Sequence, residues 1–170
     1  MLNFRLAEVS DLKEIVRIYN STIPSRMVTA DLNFVTIEDR MDWFYKHNTN
    51  RPLWMIESEG NTLGWAGLQN FHERKAYDIT AEISIYLDEK ARGKGIGREI
   101  LKEIVNRAYG LNIENLVGLI FSHNLPSLHL FKSEGFEEWG NLPNVAKLDG
   151  IRRGLILIGK NLSISPISQE

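Results

Sequence analysis

The chain has 170 residues, 43% of them apolar and 25% charged, with a net charge of −2 and no cysteine. This length can bury a core without disulfides or metals, so a single domain over residues 1–162 is expected, with a short polar tail at 163–170. Lack of cysteine excludes a disulfide framework, a thiolate metal site and an acyl-cysteine intermediate, and near-neutral charge gives no field to hold a nucleic acid.

The opening MLNFRLAEVSD has neither the apolar core nor the cleavage site of a signal peptide, and no stretch approaches 18 apolar residues. A cytoplasmic location without membrane contact is expected. Asn3 to Leu6 reads as a strand, after which Ser10 caps a helix with Leu12, Ile15, Val16 and Tyr19 on one face. Ser21 to Asn33 fits neither period and is read as a long loop, a candidate pocket wall. Thr36 and Asp39 have the spacing of a capping box for a second helix carrying Met41, Trp43 and Phe44.

Leu53 to Glu57 and Leu63 to Asn70 flank Glu59-Gly60-Asn61, a turn suited to a hairpin. Ala81 to Leu87 alternates, with Ile83, Ile85 and Leu87 on one face and Glu82, Ser84 and Tyr86 on the other. Ile96, Ile100, Leu101, Ile104, Val105 and Ala108 form a helical stripe ending near Gly110, and Leu116 to Phe121 reads as a buried strand. Pro126 opens a short helix closed by Gly135, Gly135-Phe136 starts a further strand, and Leu155 to Ile158 is the last.

Between the alternating strand and the striped helix lies Arg92-Gly93-Lys94-Gly95-Ile96-Gly97. Glycines at alternate positions leave backbone N–H groups free to converge on an anion, and the following helix adds its positive end. A Walker A loop would need a hydroxyl after Lys, and a dinucleotide fingerprint would need glycine at Arg98, so neither fits.

This loop resembles the pyrophosphate loop of the GNAT superfamily of N-acetyltransferases. The resemblance narrows to the phosphinothricin acetyltransferase-like branch through Ile18-Tyr19-Asn20, Arg74, Tyr77, the run Ala81 to Leu87, Asn124, Ser127, Gly135-Phe136 and Leu142-Pro143. It implies an α/β (α+β) fold with a mixed, mostly antiparallel, splayed sheet flanked by helices. It also implies acetyl-CoA as co-substrate, no metal, a homodimer, and a small amine acceptor of the phosphinothricin, methionine sulfoximine or methionine sulfone type.

The resemblance implies Glu82 as general base. It implies cofactor contacts at Ile85, Tyr86, Leu87, Arg92, Gly93, Lys94, Gly95, Ile96, Gly97, Arg98, Asn124 and Ser127, with free backbone groups on the splayed strand. Acceptor contacts are implied at Arg26, His72, Glu73, Arg74, Tyr77, Ile83 and Ser84. Read from the residues alone, Glu82 could instead pair with Arg74 or Arg98, and Asn124 could simply cap the helix that opens at Pro126. Two departures stand out. Phe131 occupies the place where the superfamily has a tyrosine and the branch a histidine, so no acid for the leaving thiolate is assigned. Leu148-Asp149-Gly150-Ile151-Arg152 replaces the branch's Lys-Phe-Gly-Arg-Trp, which leaves acceptor choice open. Acetylation of a protein N-terminus or a polyamine, and acyl-CoA sensing without catalysis, are the competing readings.

Overall fold

Period-two alternation in the strand at Thr80–Leu87 divides the molecule into two apolar layers. In the computed structural model, which describes residues 1–162, seven strands form one sheet: β1 (Asn3–Leu6), β2 (Leu53–Ser58), β3 (Asn61–Asn70), β4 (Thr80–Leu87), β5 (Asn115–Phe121), β6 (Glu137–Leu148) and β7 (Ile151–Asn161). Their order is β1-β2-β3-β4-β5-β7-β6, and every pairing is antiparallel except β4 with β5. The helices are α1 (Leu12–Thr22), α2 (Ile37–Tyr45), α3 (Ile96–Ala108) and α4 (Leu125–Ser133).

On one face of the sheet, Ile15, Ile18 and Tyr19 of α1 cover Leu53, Met55 and Trp65. On the other, Ile100, Leu101 and Ile104 of α3 pack with Ala81, Ile83 and Leu116. β2 alternates between these layers, so Trp54 and Ile56 join the second while Leu53 and Met55 join the first. Burying residues on both faces explains why β2 and β3 read as near-continuous apolar runs. Among the described residues, no helix is long and apolar enough to cross a membrane.

The expected capping box forms: Asp39 N donates to Thr36 Oγ1 at 3.1 Å and Thr36 N to Asp39 Oδ2 at 2.8 Å. The cap expected at Ser10 does not. A 3-10 turn at Val9–Asp11 precedes α1, and Glu8 with Asp11 makes the reciprocal pair, because Asp11 is held by Arg5 at 2.7 Å. The loop expected from Ser21 starts later, since α1 runs through Thr22 and a 3-10 turn follows at Ile23–Ser25. The last strand is far longer than Leu155 to Ile158, because it pairs with β5 on one edge and β6 on the other. Residues 163–170, read as a tail, lie outside the described residues.

The β2–β3 hairpin turns through Glu59 (φ 50) and Gly60 (φ 77), both left-handed as a two-residue type I′ connection demands. Farther along β3, Gly64 lies opposite Leu87, and a β-carbon there would sit 2.3 Å from the Tyr86 carbonyl oxygen. Backbone on both strands leaves no flexible group to yield. Gly64→Ala should therefore cost about 2–3 kcal/mol, read as a drop of roughly 4–12 °C in thermal midpoint.

Candidate active site

β4 and β5 are in register only at Thr80↔Asn115, Ala81↔Leu116 and Glu82↔Val117. Beyond Glu82, β4 continues along β3 to Leu87 while β5 follows β7, so the two strands diverge. This divergence opens a cleft of about 110 Å³ between Glu82–Tyr86 on one wall and Gly118–Ile120 on the other. Val28, Asn124, Ser127 and Phe131 complete its lining. On its β5 side, the backbone of β4 from Ile83 onward has no strand partner, leaving polar groups to be satisfied by something other than a sheet neighbour.

The glycine loop stands at the end of β4. Gly93 (φ 72) and Gly95 (φ 78) adopt the left-handed region, and Gly95 caps α3, whose first residues are Ile96 and Gly97. A β-carbon at Gly93 or Gly95 would meet no atom within 4 Å, so these glycines serve backbone direction and leave open space outside the loop. Gly97 has a different job: its missing side chain lets Leu130 of α4 approach, with a β-carbon falling 3.3 Å from Leu130 Cδ2. Arg92 locks the loop to its surroundings, Nε donating to the Leu87 carbonyl at 3.0 Å and Nη2 to Ser21 Oγ at 2.7 Å. Lys94 is exposed beside it, whereas Arg98 is tied to Glu134 at 2.5 Å. That pairing removes Arg98 as an ion-pair partner for Glu82.

Glu82 is half-buried on the α1/α2 face together with Ser84 and Tyr86. Burial pushes its carboxyl above the ordinary glutamate value, and a hydrogen bond from Gln69 partly offsets this. Tyr86 stacks on Trp65 with ring centroids 4.5 Å apart and meets Tyr19 at 5.1 Å. Burial raises the Tyr86 phenol as well, so it stays neutral on this surface. A carboxylate raised toward the operating pH, at the point where two strands part, is suited to proton abstraction.

The loop after α1 is drawn over the cleft. His123 Nε2 bonds the Arg26 carbonyl at 2.8 Å, and Asn124 Nδ2 donates to the Met27 carbonyl at 3.0 Å. Asn124 Oδ1 also accepts from Ser127 N at 3.3 Å, so Asn124 both caps α4 and lines the cleft. His123 escaped the sequence reading because nothing in its local pattern reveals a bond spanning 97 positions.

Of the residues expected to meet the acceptor, Ile83 and Ser84 share the cleft with Glu82, but Arg26 does not line it. Its guanidinium holds Asp149 in the β6–β7 turn at 2.7 Å and the Leu32 carbonyl at 3.0 Å, drawn there by the carboxylate of a segment 123 residues away. His72, Glu73, Arg74 and Tyr77 lie together on the exposed β3–β4 connection, where His72 Nδ1 accepts from Arg74 N and its ring meets Tyr77 at 4.9 Å. Glu73 faces a second cavity of about 390 Å³, lined also by Trp43, Lys46, His47, Arg51 and Gln69. Gln69 links this cavity to Glu82. Phe131 is buried edge-on against Phe136 at 5.0 Å and offers no proton. His72 and His129 are exposed, and no group of metal-ligating side chains occurs among the described residues.

The acetyltransferase (GNAT) domain family matches residues 4–151. The chain belongs to the GNAT acetyltransferase family. It is 51% identical over 163 residues to YwnH of Bacillus subtilis, which carries a provisional phosphinothricin acetyltransferase designation; the match covers 95% of this chain and all of YwnH. It is 29% identical to an L-methionine sulfoximine/L-methionine sulfone acetyltransferase of Pseudomonas paraeruginosa, over 96% of this chain and 95% of that protein. A GNAT phosphinothricin acetyltransferase from Sinorhizobium meliloti, solved with acetyl-CoA, superposes with a TM-score of 0.87 at 27% identity, covering 94% of this chain and 88% of the other. The split between β4 and β5 is thus part of a GNAT sheet, and the chain is a GNAT enzyme.

Proposed function

We propose that this GNAT enzyme transfers the acetyl group of acetyl-CoA to the primary amine of a small amino acid-like acceptor, of the phosphinothricin, methionine sulfoximine or methionine sulfone type, with Glu82 as general base. The observation that carries the reading is the cleft that opens at Glu82, with the glycine loop at the far end of the same strand. Acetyl-CoA supplies an activated thioester. Gly93 to Gly97 and the N-terminus of α3 would hold its pyrophosphate through backbone N–H groups and the helix dipole, with Arg92 and Lys94 adding charge. The unpaired edge of β4 at Ile85, Tyr86 and Leu87 would receive the amide-bearing arm, and Asn124 and Ser127 would line its other side. Arg98, already bound to Glu134, would contribute less.

At neutral pH an acceptor amine carries a proton that must leave before nitrogen can attack. Glu82 is placed to take that proton, and the upward push of burial on its carboxyl makes it a better base than an exposed glutamate. Ser84 and Ile83 would shape the acceptor's seat, with His72, Glu73, Arg74 and Tyr77 bordering it from the β3–β4 connection. With Phe131 in the cleft, solvent protonates the departing thiolate, whose ordinary pKa of about 8.5 makes it a tolerable leaving group. The cytoplasmic homodimer belongs to the same reading.

A polyamine acceptor would favour an acidic pocket, whereas the cavity beside Gln69 presents Lys46 and Arg51 against the single carboxylate of Glu73. That balance suits a zwitterionic amino acid with an additional acidic or sulfonyl group. The test is thiol release from acetyl-CoA across phosphinothricin, methionine sulfone, methionine sulfoximine, spermidine and short peptides. Turnover confined to the first three is expected. Turnover of peptides or spermidine alone would overturn the acceptor assignment, and no turnover of any amine would overturn the catalytic one.

A further inference from the structure

Gln69 lies directly opposite Glu82 in the antiparallel β3–β4 register, and both side chains are half-buried on the α1/α2 face. Paired residues in such a register bring their β-carbons within about 5.5 Å, which is reach for an amide to a carboxylate. An amide can be turned either way, and only one orientation gives Glu82 a donor. Trp43 of α2 decides it. Its indole Nε1–H has no acceptor capacity, and it meets Gln69 Oε1 at 3.3 Å, so the Gln69 oxygen faces Trp43 and the NH₂ group is left for Glu82.

Trp43 is itself fixed by Trp65 at 5.3 Å and His47 at 4.7 Å, both edge-on. His47 Nδ1 in turn lies 3.0 Å from the Trp43 carbonyl. The chain of contacts therefore runs from a rigid aromatic cluster through one amide to one carboxylate.

We infer that Gln69, held in a single orientation by Trp43, is a positioning residue that aims and ionises Glu82 for proton abstraction. The inference rests on Glu82 being the base. A carboxylate that accepts an N–H bond is stabilised in its charged form, so the amide counters the effect of burial. Other ionisable groups gathered on this surface are Tyr86 from β4, Tyr19 from α1, Arg40 from α2, Asp31 from the loop between α1 and α2, Lys46 and His47 just after α2, and Arg51 and Glu73 from the cavity that Gln69 lines. Arg40 sits 4.1 Å over the Tyr19 ring and pairs with Asp31 at 3.0 Å, and burial holds His47 below its ordinary value and hence neutral at pH 7. The neutral amide of Gln69 is thus the donor that the register sets opposite Glu82.

The experiment is the pH profile of kcat/KM for Gln69→Leu, Trp43→Phe and Glu82→Gln beside the parent enzyme, with thermal midpoints measured for each. Gln69→Leu should move the acid limb upward by about one pH unit, a loss of about tenfold in kcat/KM below the limb relative to the variant's own rate at high pH. Trp43→Phe, which frees the amide to rotate without removing it, should move the limb the same way by less, and carries the test alone if Gln69→Leu does not fold. A limb that stays in place in the folded variants, with the rate lowered equally at all pH, would mean a merely structural amide and would overturn the inference. If Glu82→Gln keeps both rate and limb, the base assignment fails and takes this inference with it; if Glu82→Gln slows transfer while the other two leave the limb unmoved, only the role of Gln69 falls.

Discussion

Glu82→Gln should lower kcat by about 10²–10⁴-fold while leaving the dissociation constant for acetyl-CoA within about twofold. The amide keeps the size and polarity of the carboxylate on the half-buried face of β4, so Ser84, Tyr86 and the cleft walls keep their places. What it lacks is a lone pair able to take a proton near neutral pH. In the parent enzyme kcat/KM should fall as pH drops through the raised pKa of Glu82, because the protonated carboxyl is no base. This limb should lie above the ordinary glutamate value of about 4.3 and disappear in the variant.

The sign for stability runs the other way. A folded-state pKa raised above the unfolded value means the folded protein disfavours the charge, so Glu82 reduces stability once pH rises through that window. Glu82→Gln should therefore melt at the same temperature or slightly higher at pH 7. A variant that is slow and also markedly less stable would instead indicate a structural role for the carboxylate.

The sheet was readable wherever local chemistry decides local structure. Alternation over Ala81 to Leu87 assigned side chains to faces, Glu59-Gly60-Asn61 suited a hairpin turn, and Thr36 with Asp39 marked a helix start, all within a few residues of one another. The glycine loop was legible for the same reason. Long-range partners were not. Arg26 looked like a free cation for an acidic acceptor, and only the folded chain shows Asp149 claiming it from the opposite end of the sequence. Gln69 carried no signal at all, because a glutamine at the end of an apolar strand acquires meaning only from the register that sets it against Glu82 and the helix that brings Trp43 over it. Phe131 was visible as a departure, and the fold shows how it is held: it packs edge-on against Phe136 and close to Gly118 of β5, with part of its ring lining the cleft.

Gly95→Val should weaken acetyl-CoA binding at least tenfold, about 1.4 kcal/mol, while Gly97→Ala weakens it little. The two glycines are two residues apart and do different things. Gly95 holds φ at 78, where an L-residue costs about 1–2 kcal/mol and a β-branched side chain is worse placed still. Relief of that strain turns the backbone, and the N–H groups at the start of α3 no longer converge on one point. The valine would also enter the open space outside the loop that a pyrophosphate needs. Gly97 already has ordinary helical φ, and an alanine there meets the ends of two flexible side chains, Leu130 at 3.3 Å and Leu87 at 3.9 Å, of which only the first is tight and a small rotamer change relieves it. Calorimetric titration with acetyl-CoA separates the cases. Equal weakening by both substitutions would show that packing of α3 on α4, rather than the left-handed turn at Gly95, governs cofactor affinity.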